Sequence, residues 1–274
     1  MSFKNILVAL APGGKADRGT EFAISMAVKL QAHIRGQIYA IEPDVGFSGL
    51  SGVPADILQA NRAALAKEAE QAVKAFEGAA KRAKVQVTID SVRTTLNRAT
   101  DTFAQQARVH DVTVVTQSAK GLEHVGDVFA EAALVSSGRP LIVVPKSGSQ
   151  EFSVSRVMVA WDGSLYAARA VALAMPLLAQ ARKVEVVVVG DKARVQASRA
   201  RELVSNLERY GVDVELTTRN DADHAETIAR EAKSASASLL IMGGYGHSKL
   251  RQFVFGGVTR HMLRDAKLPV LMAH

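Results

Sequence analysis

The sequence has no cysteine, few aromatic residues and no long hydrophobic run. Without cysteine, the 274 residues cannot form disulfides or thiolate metal sites, which fits a reducing compartment. Aromatic residues make up 5% of the chain, so the stacking platforms that hold single-stranded nucleic acids are scarce. No run approaches the roughly 18–20 apolar residues of a membrane span, and the first residues show no signal-peptide pattern. We therefore expect a cytoplasmic protein with no membrane span and no nucleic-acid partner.

The charge balance points to anionic ligands only in general terms. The formal net charge is +7, and the basic residues are spread over both halves of the chain rather than gathered in one tract. A surplus of this kind favours any polyanion, including a nucleoside triphosphate. With 48% apolar residues the chain can bury substantial cores, and its length suggests two domains of ordinary size.

Apolar segments of the first half recur in the same order in the second half. Residues 5–13 match residues 156–164, and three later pairs follow in the same order: residues 85–89 with 212–216, residues 111–116 with 238–243, and residues 139–144 with 268–273. This order predicts duplication of one domain, with copies at residues 1–146 and 153–274. The first copy is longer because it carries a Gly-rich loop at residues 43–54 and then a long predicted helix.

Within each copy, short apolar runs alternate with amphipathic stretches. The alternation predicts an α/β fold made of two tandem copies of a five-stranded parallel sheet flanked by helices. We expect the final strands, at residues 141–144 and 270–272, to pair the copies as an internal pseudo-dimer, because their apolar edges would otherwise be exposed. A homodimer of the whole chain is compatible with this arrangement. In the second copy the predicted strands are 157–160, 184–189, 212–216, 239–242 and 270–272, and the predicted helices are 166–181, 193–210, 224–236 and 258–265.

A glycine motif near the C-terminus is the most informative feature. The apolar strand at residues 239–242 runs into Gly243 and Gly246, and after nine more residues Gly256 and Gly257 open a helix. Phosphate groups need backbone N–H groups at close range and the N-terminus of a helix directed at them, which glycine permits. The spacing fits neither a Walker P-loop nor a dinucleotide fingerprint. The alternative is that these glycines only mark turns and close packing.

Asp162 ends the first strand of the second copy. In parallel sheets, ligands bind beyond the carboxyl ends of the strands where the strand order reverses. If the first and fourth strands are neighbours, Asp162 and Gly243 face each other across a crevice. An aspartate followed by Gly-Ser is also common turn chemistry, so Asp162 could be a turn residue or a helix cap.

Together these residues resemble the universal stress protein family. Asp162-Gly163-Ser164 is similar to the turn after the family's opening strand, and the glycine spacing is similar to its motif of Gly-x-x-Gly, nine residues and Gly-Ser/Thr. The resemblance implies an adenine-nucleotide alpha hydrolase-like fold that binds ATP or another adenine nucleotide, with or without Mg²⁺. Gly257 departs from the motif's Ser/Thr, and Thr259 could supply the missing hydroxyl. The implied contact residues are Ala160, Asp162, Val189, Met242, Gly243, Gly246, His247, Gly256, Gly257, Val258 and Thr259.

The first copy lacks this motif. Ala11 stands where Asp162 stands, Thr116 replaces Gly243, and Phe129-Ala130 lies near the positions of Gly256-Gly257. Side chains there would obstruct phosphate, so we expect one nucleotide site per chain, in the second copy.

Three functions remain open at this stage. The first is a non-enzymatic ATP-binding regulator of stress adaptation. The second is a slow ATPase or nucleotidyl-transferring enzyme using the same crevice, although no base–nucleophile pair or carboxylate cluster for a metal is evident. The third is a scaffold that binds an unknown protein partner or an apolar ligand through the first copy. Basic residues near the motif could form a cationic rim for phosphates or simply a solvated surface: Lys249, Arg251, Arg260, His261 and Arg264.

Overall fold

A computed structural model describes residues 2–42, 55–117, 123–245 and 257–274. The first half contains the strands β1 (Asn5–Ala9), β2 (His33–Glu42), β3 (Val87–Thr95), β4 (Val112–Thr116) and β5 (Leu141–Val144), and the helices α1 (Arg18–Leu30), α2 (Ala55–Ala83), α3 (Leu96–Arg108) and α4 (Glu123–Ser136). The second half contains the strands β6 (Arg156–Ala160), β7 (Lys183–Val189), β8 (Val214–Arg219), β9 (Leu239–Gly243) and β10 (Val270–Ala273), and the helices α5 (Leu165–Leu178), α6 (Lys192–Ala197), α7 (Ala200–Arg209), α8 (His224–Ser234) and α9 (Gly257–Asp265).

All ten of these strands belong to one sheet, in the order β3-β2-β1-β4-β5-β10-β9-β6-β7-β8. Strands within each half are parallel, and the two final strands, β5 and β10, pair antiparallel through Ile142 and Leu271. The predicted α/β class, the five parallel strands of each copy and the pairing of the copies through their final strands are confirmed. The β5–β10 pair joins the two predicted five-stranded sheets into one continuous sheet, so no sheet edge is left between the halves.

Apolar side chains cover both faces of the sheet. Along β6, Val157 and Val159 belong to the core on one face, while Met158 belongs to the core on the other. All three are at most 2% exposed, which explains why the strand reads as a continuous apolar run. Helices α1, α2, α5 and α7 pack on the first face, and helices α3, α4, α8 and α9 pack on the second.

Two kinds of predicted boundary are wrong. The outer strands β3 and β8 begin two residues later than predicted and extend into polar sequence, because backbone hydrogen bonds to β2 and β7 carry the pairing there. The predicted helix 193–210 is two helices, α6 and α7, separated at Ser198 and Arg199, where Arg199 has a φ of +53°. The long helix predicted after the Gly-rich loop is confirmed as α2. The loop itself, at residues 43–54, lies outside the described residues.

Among the described helices, none combines the length and the apolar character needed to cross a membrane.

Candidate functional site

A crevice opens beyond the carboxyl ends of the central strands of the second half. Strands β6 and β9 are neighbours, with Ala160 opposite Met242, and β7 lies on the other side of β6. The strand order therefore reverses at β6, which is where ligands bind in open α/β sheets. The enclosed space of the crevice is about 110 Å³, and its mouth is open to solvent. Its lining comprises Ala160, Trp161, Asp162, Ser164, Val187, Val189, Arg194, His224, Ile228, Met242, Gly243, Val258 and Thr259.

The Asp-Gly-Ser turn after β6 places Asp162 in this crevice. Asp162 Oδ1 accepts a hydrogen bond from the backbone N–H of Ser164 at 2.9 Å, and Ser164 Oγ caps α5 by accepting from Ala167 N–H at 3.2 Å. Gly163 has a φ of +75°, and a Cβ there would lie 2.9 Å from Ser198 Cα. Asp162 is therefore both a turn residue and part of the wall of the crevice. The interpretation as a turn residue and the interpretation as a crevice residue are both correct.

Gly243 lines the crevice, but packing alone accounts for its missing side chain. A Cβ at residue 243 would lie 2.6 Å from the backbone nitrogen of Ala167 and 2.8 Å from the carbonyl carbon of Tyr166, in the first turn of α5. At the neighbouring Gly244, a Cβ would lie 2.8 Å from Cδ2 of Leu134, which belongs to α4 of the first half. These two glycines let α5 and α4 approach the end of β9, so close packing, one of the two interpretations of the glycine motif, applies to both of them.

The start of α9 has a different character. Gly257 is its first residue, and a Cβ there would meet no atom of the described residues within 4 Å. Val258 and Thr259 line the crevice, so the first turn of the helix, whose backbone N–H groups have no partner within the helix itself, borders the same space as Asp162. Thr259 is 5% exposed, and its hydroxyl accepts from the backbone N–H of Tyr245 at 3.1 Å, which ties the loop after β9 to α9.

Several predicted residues lie outside the described part of the chain. These are Gly246, His247 and Gly256 of the motif, together with Lys249 and Arg251 of the predicted cationic rim. Of the other rim residues, Arg264 donates to Asp127 Oδ2 at 3.1 Å, so it pairs with α4 of the first half instead of facing the crevice.

Arg194 and His224 line the crevice and were not predicted from the sequence. Arg194 lies on α6, which Asp191 caps by accepting from Arg194 N–H at 2.8 Å. His224 is the first residue of α8, where Asp223 accepts from Glu226 N–H at 3.0 Å. Both residues follow the carboxyl end of a strand by only a few positions. Their position could have identified them from the sequence, because ligand sites of α/β sheets lie at the carboxyl ends of the strands.

A second carboxylate stands at the rim of the crevice. Asp221 accepts hydrogen bonds from the Thr227 hydroxyl at 2.8 Å, from Asp223 N–H at 3.0 Å and from Arg230 at 3.2 Å. These donors, the Thr227 hydroxyl above all, lower the pKa of Asp221 to about 2. Its charge and orientation are therefore fixed by the turn before α8. Within the described residues, no group of three or more His, Asp or Glu side chains could hold a metal ion.

Aromatic rings stand at the corresponding place in the first half. The β1–β2 and β6–β7 registers put Tyr39 at the position of Val189. Helices α4 and α9 end at the same distance along the chain before β5 and β10, so Phe129 corresponds to Val258. The sequence alone places Phe129 near Gly256, which is two residues earlier. The rings of Tyr39 and Phe129 stack at 5.2 Å between centroids. They place aromatic surface where the second half has the smaller valines.

Thr116 takes the place of Gly243 through an exchange of large and small residues. Its hydroxyl accepts from Gly19 N–H at 2.8 Å and donates to the Asp17 carboxylate. A Cβ at Gly19 would collide with Thr116, just as a Cβ at Gly243 would collide with Tyr166. In each half, the first helix meets the fourth strand through one glycine and one larger residue. The glycine is on the helix in the first half, as Gly19, and on the strand in the second half, as Gly243.

Comparison with known proteins agrees with this geometry. Residues 153–274 match the model of the universal stress protein family. The second half is a universal stress protein domain. Universal stress protein Slr1230 of Synechocystis sp. is 31% identical over 147 residues, which cover 52% of this chain and 49% of that protein. The chain therefore spans about half the length of this curated relative.

The whole chain also has the fold of a solved universal stress protein. The structure from Archaeoglobus fulgidus DSM 4304 superposes with a TM-score of 0.71, covering 98% of this chain and 97% of the other at 14% identity. An identity this low shows the fold alone. Because the match spans both halves, the first half shares the universal stress protein fold although the family model matches only the second.

Proposed function

We propose that this chain binds one adenine nucleotide, ATP or a related species, in the crevice of its second half and acts as a non-enzymatic regulator. The observation that carries the proposal is that Asp162 and the first turn of α9 line one crevice at the point where the strand order reverses. A carboxylate suits ribose hydroxyls, and the N-terminus of a helix suits phosphate. Membership of the second half in the universal stress protein family supports the same ligand.

Each part of a nucleotide has a matching part of the crevice. The apolar side chains of Val187, Val189 and Ile228 offer a surface for a flat base. Asp162 Oδ atoms can accept from ribose hydroxyls while Oδ1 also holds the turn. The guanidinium of Arg194 adds positive charge near the crevice, and any Mg²⁺ would enter bound to the phosphates. Contacts to Gly246, His247 and Gly256 remain predictions.

Regulation requires that nucleotide binding favour one state of the protein. A ligand shifts a conformational equilibrium only through its different affinity for the two states. Tyr245 and Thr259 connect the loop after β9 to α9, so a phosphate at α9 would stabilise both segments. We further propose that the chain acts in the cytoplasm as part of stress adaptation, and that its functional domains are residues 1–146 and 153–274.

Titration calorimetry with ATP tests the nucleotide site through Asp162→Asn. Asparagine keeps an oxygen for the Ser164 N–H, so the turn survives while the charge is lost. A hydrogen bond to a charged group contributes about 1.5–3 kcal/mol, so we expect affinity to fall roughly 10- to 100-fold. The control is Asp213→Asn, because Asp213 is exposed and precedes the opposite end of β8.

The same titration separates the alternatives. We expect one ATP per chain, with Asp213→Asn equal to the unchanged protein. Two equivalent sites per chain, no saturable binding, or equal affinity in Asp162→Asn would each contradict the proposal. Phosphate release that disappears in Asp162→Asn would instead indicate an ATPase in this crevice.

A further inference from the structure

The first half contains a large cavity of its own at the carboxyl ends of β1, β2 and β4. Its enclosed volume is about 490 Å³, against about 110 Å³ for the crevice in the second half. Helix α2 contributes Leu65 to one wall, and α4 contributes Gly126 and Phe129 to another. The cavity therefore occupies the place in the first half that the nucleotide crevice occupies in the second, but different side chains surround it.

The lining of this cavity is mostly apolar. Leu10, Ile41, Leu65 and Val115 supply aliphatic surface, and the stacked rings of Tyr39 and Phe129 supply an aromatic wall. At the position of Asp162 the cavity has Ala11, so the carboxylate that would meet ribose is absent. An apolar cavity with a few polar groups is the usual form of a small-molecule site.

The polar side chains in the lining already have hydrogen-bond partners within the protein. Asp17 accepts from Thr20 N–H at 2.9 Å with one oxygen and from the Thr116 hydroxyl with the other. The Tyr39 hydroxyl donates to Gln37 Oε1 at 2.8 Å, and burial, with the nearby Asp90 charge, raises the pKa of Tyr39.

Gln117 is likewise occupied. Its Nε2 donates to the carbonyls of Met262 and Ala266 at 3.4 and 3.3 Å, and its Oε1 accepts from Lys146 N–H at 3.2 Å. A ligand that needed many hydrogen bonds or carried a charge would lose its water without finding partners in this cavity. That loss costs free energy. The lining therefore selects for a neutral ligand with few polar groups.

We propose that the first half binds an uncharged, largely aromatic or aliphatic small molecule in this cavity. A small molecule fits better than a segment of a protein partner, because a peptide would bring backbone N–H and C=O groups that need partners. The two halves would then carry two sites of opposite character on one sheet, one for a charged nucleotide and one for an apolar compound.

Fluorescence titration with N-phenyl-1-naphthylamine, a neutral aromatic probe, tests this proposal on the full chain. We expect saturable binding with one probe per chain. The sulfonated compound of the same skeleton, 8-anilinonaphthalene-1-sulfonate, should bind at least tenfold more weakly because of its charge. Equal affinity for the two probes, or no saturable binding of the neutral one, would overturn the proposal.

A pair of variants on α2 locates the bound probe. Leu65→Asp places a carboxylate in the cavity wall, whereas Ala66→Asp places the same charge on the exposed side of the same helix turn. We expect the probe's affinity to fall at least tenfold in Leu65→Asp and to stay unchanged in Ala66→Asp, with both variants showing the circular dichroism of the folded chain. Equal affinity in both would place the probe elsewhere and refute the site.

The two proposed sites can be tested separately. Asp162→Asn should leave probe binding unchanged, and saturating ATP should not displace the probe. Displacement of the probe by ATP would mean that both use one site, which would overturn the inference about the first half. Failure of ATP binding with intact probe binding would contradict only the proposed nucleotide function.

Discussion

Gly243 and Gly257 belong to the same sequence motif, yet their surroundings in the structure differ. Gly243 is in contact with the backbone of α5, which cannot move aside, while Gly257 has no neighbour within reach of a Cβ in the part of the chain that the structure describes. The motif thus combines a residue needed for packing with a residue that leaves room for a ligand. A pair of alanine substitutions separates these two roles.

Gly243→Ala should destabilise the fold. The new methyl group would lie 2.6 Å from Ala167 N, so α5 or β9 must shift. Overpacking of this kind costs about 1–3 kcal/mol. Chemical denaturation followed by circular dichroism measures the change, and a variant as stable as the original chain would contradict the assignment.

Gly257→Ala should affect the ligand instead of the fold. The methyl group meets no atom among the described residues, and alanine is the better residue in a helix by up to about 1 kcal/mol, so stability should be unchanged or slightly raised. If phosphate approaches the first turn of α9, the methyl group obstructs it, and losing one charged hydrogen bond lowers ATP affinity roughly tenfold or more. Calorimetry on this variant checks the result. Undiminished ATP binding would place the phosphates elsewhere.

The residues of the crevice differ in how far the sequence could predict them. Asp162 and Gly243 follow apolar strands and carry a recognisable pattern, and they do line one crevice. Arg194 and His224 join them through the α6 and α8 turns, whose geometry depends on local caps at Asp191 and Asp223. Residue type alone does not distinguish them from the many other basic residues of the chain.

At the scale of elements, the break between α6 and α7 shows what periodicity cannot predict. The sequence from residue 193 to residue 210 has helical character throughout. The chain turns at Ser198 because Trp161 Nε1 donates to its carbonyl at 2.7 Å and the turn at Gly163 packs against it. A tertiary contact from β6 therefore ends the first helix, and no local signal in the segment announces it.

Arg199 has a left-handed conformation at this break, with a φ of +53°, so glycine should be favoured there. The left-handed conformation costs residues other than glycine about 1 kcal/mol. We expect Arg199→Gly to be more stable than Arg199→Ala by at least roughly 0.5 kcal/mol after the greater chain entropy of unfolded glycine is subtracted. Both variants lose the exposed Arg199–Glu202 pair, so that term cancels. Urea denaturation of the two proteins makes the comparison, and equal midpoints would argue against strain at this residue.

The outer strands show a second limit of sequence prediction. β3 continues beyond its apolar start through Asp90 to Thr95, and all of that stretch pairs with β2. Backbone hydrogen bonds extend the strand where the side chains are polar. A pattern of apolar residues therefore locates such a strand but places its end too early.

At the scale of the molecule, both backbone pairing and side-chain contacts connect the halves. The β5–β10 ladder joins the sheets, Arg264 pairs with Asp127, and Gln117 of the first half donates to two carbonyls of α9 and its following turn. The sequence predicted the first of these from the apolar final strands. The side-chain contacts follow from how α4 and α9 face each other, which only the folded arrangement determines.

Tyr245 reports on this junction through its ionisation. Burial, together with the charges of Glu131 and Asp127 on α4, raises the pKa of Tyr245 to about 12 from the ordinary value of 10.0. The folded chain therefore holds the phenol proton more tightly than the unfolded chain does. This contribution to stability is complete below pH 10 and is lost as the pH rises from 10 to 12.

Tyr245→Phe should make the free energy of unfolding fall less steeply between pH 10 and pH 12, because the variant has no proton to release there. Urea denaturation at several alkaline pH values measures the slope. Tyr210→Phe is the control, since Tyr210 is 72% exposed and far less buried than Tyr245. Tyr39, whose pKa is also raised, is present in both variants and contributes equally to each. Equal slopes of unfolding free energy against pH in the two variants would mean that burial and the α4 carboxylates do not act on Tyr245. The close approach of the two halves at this loop would then be wrong.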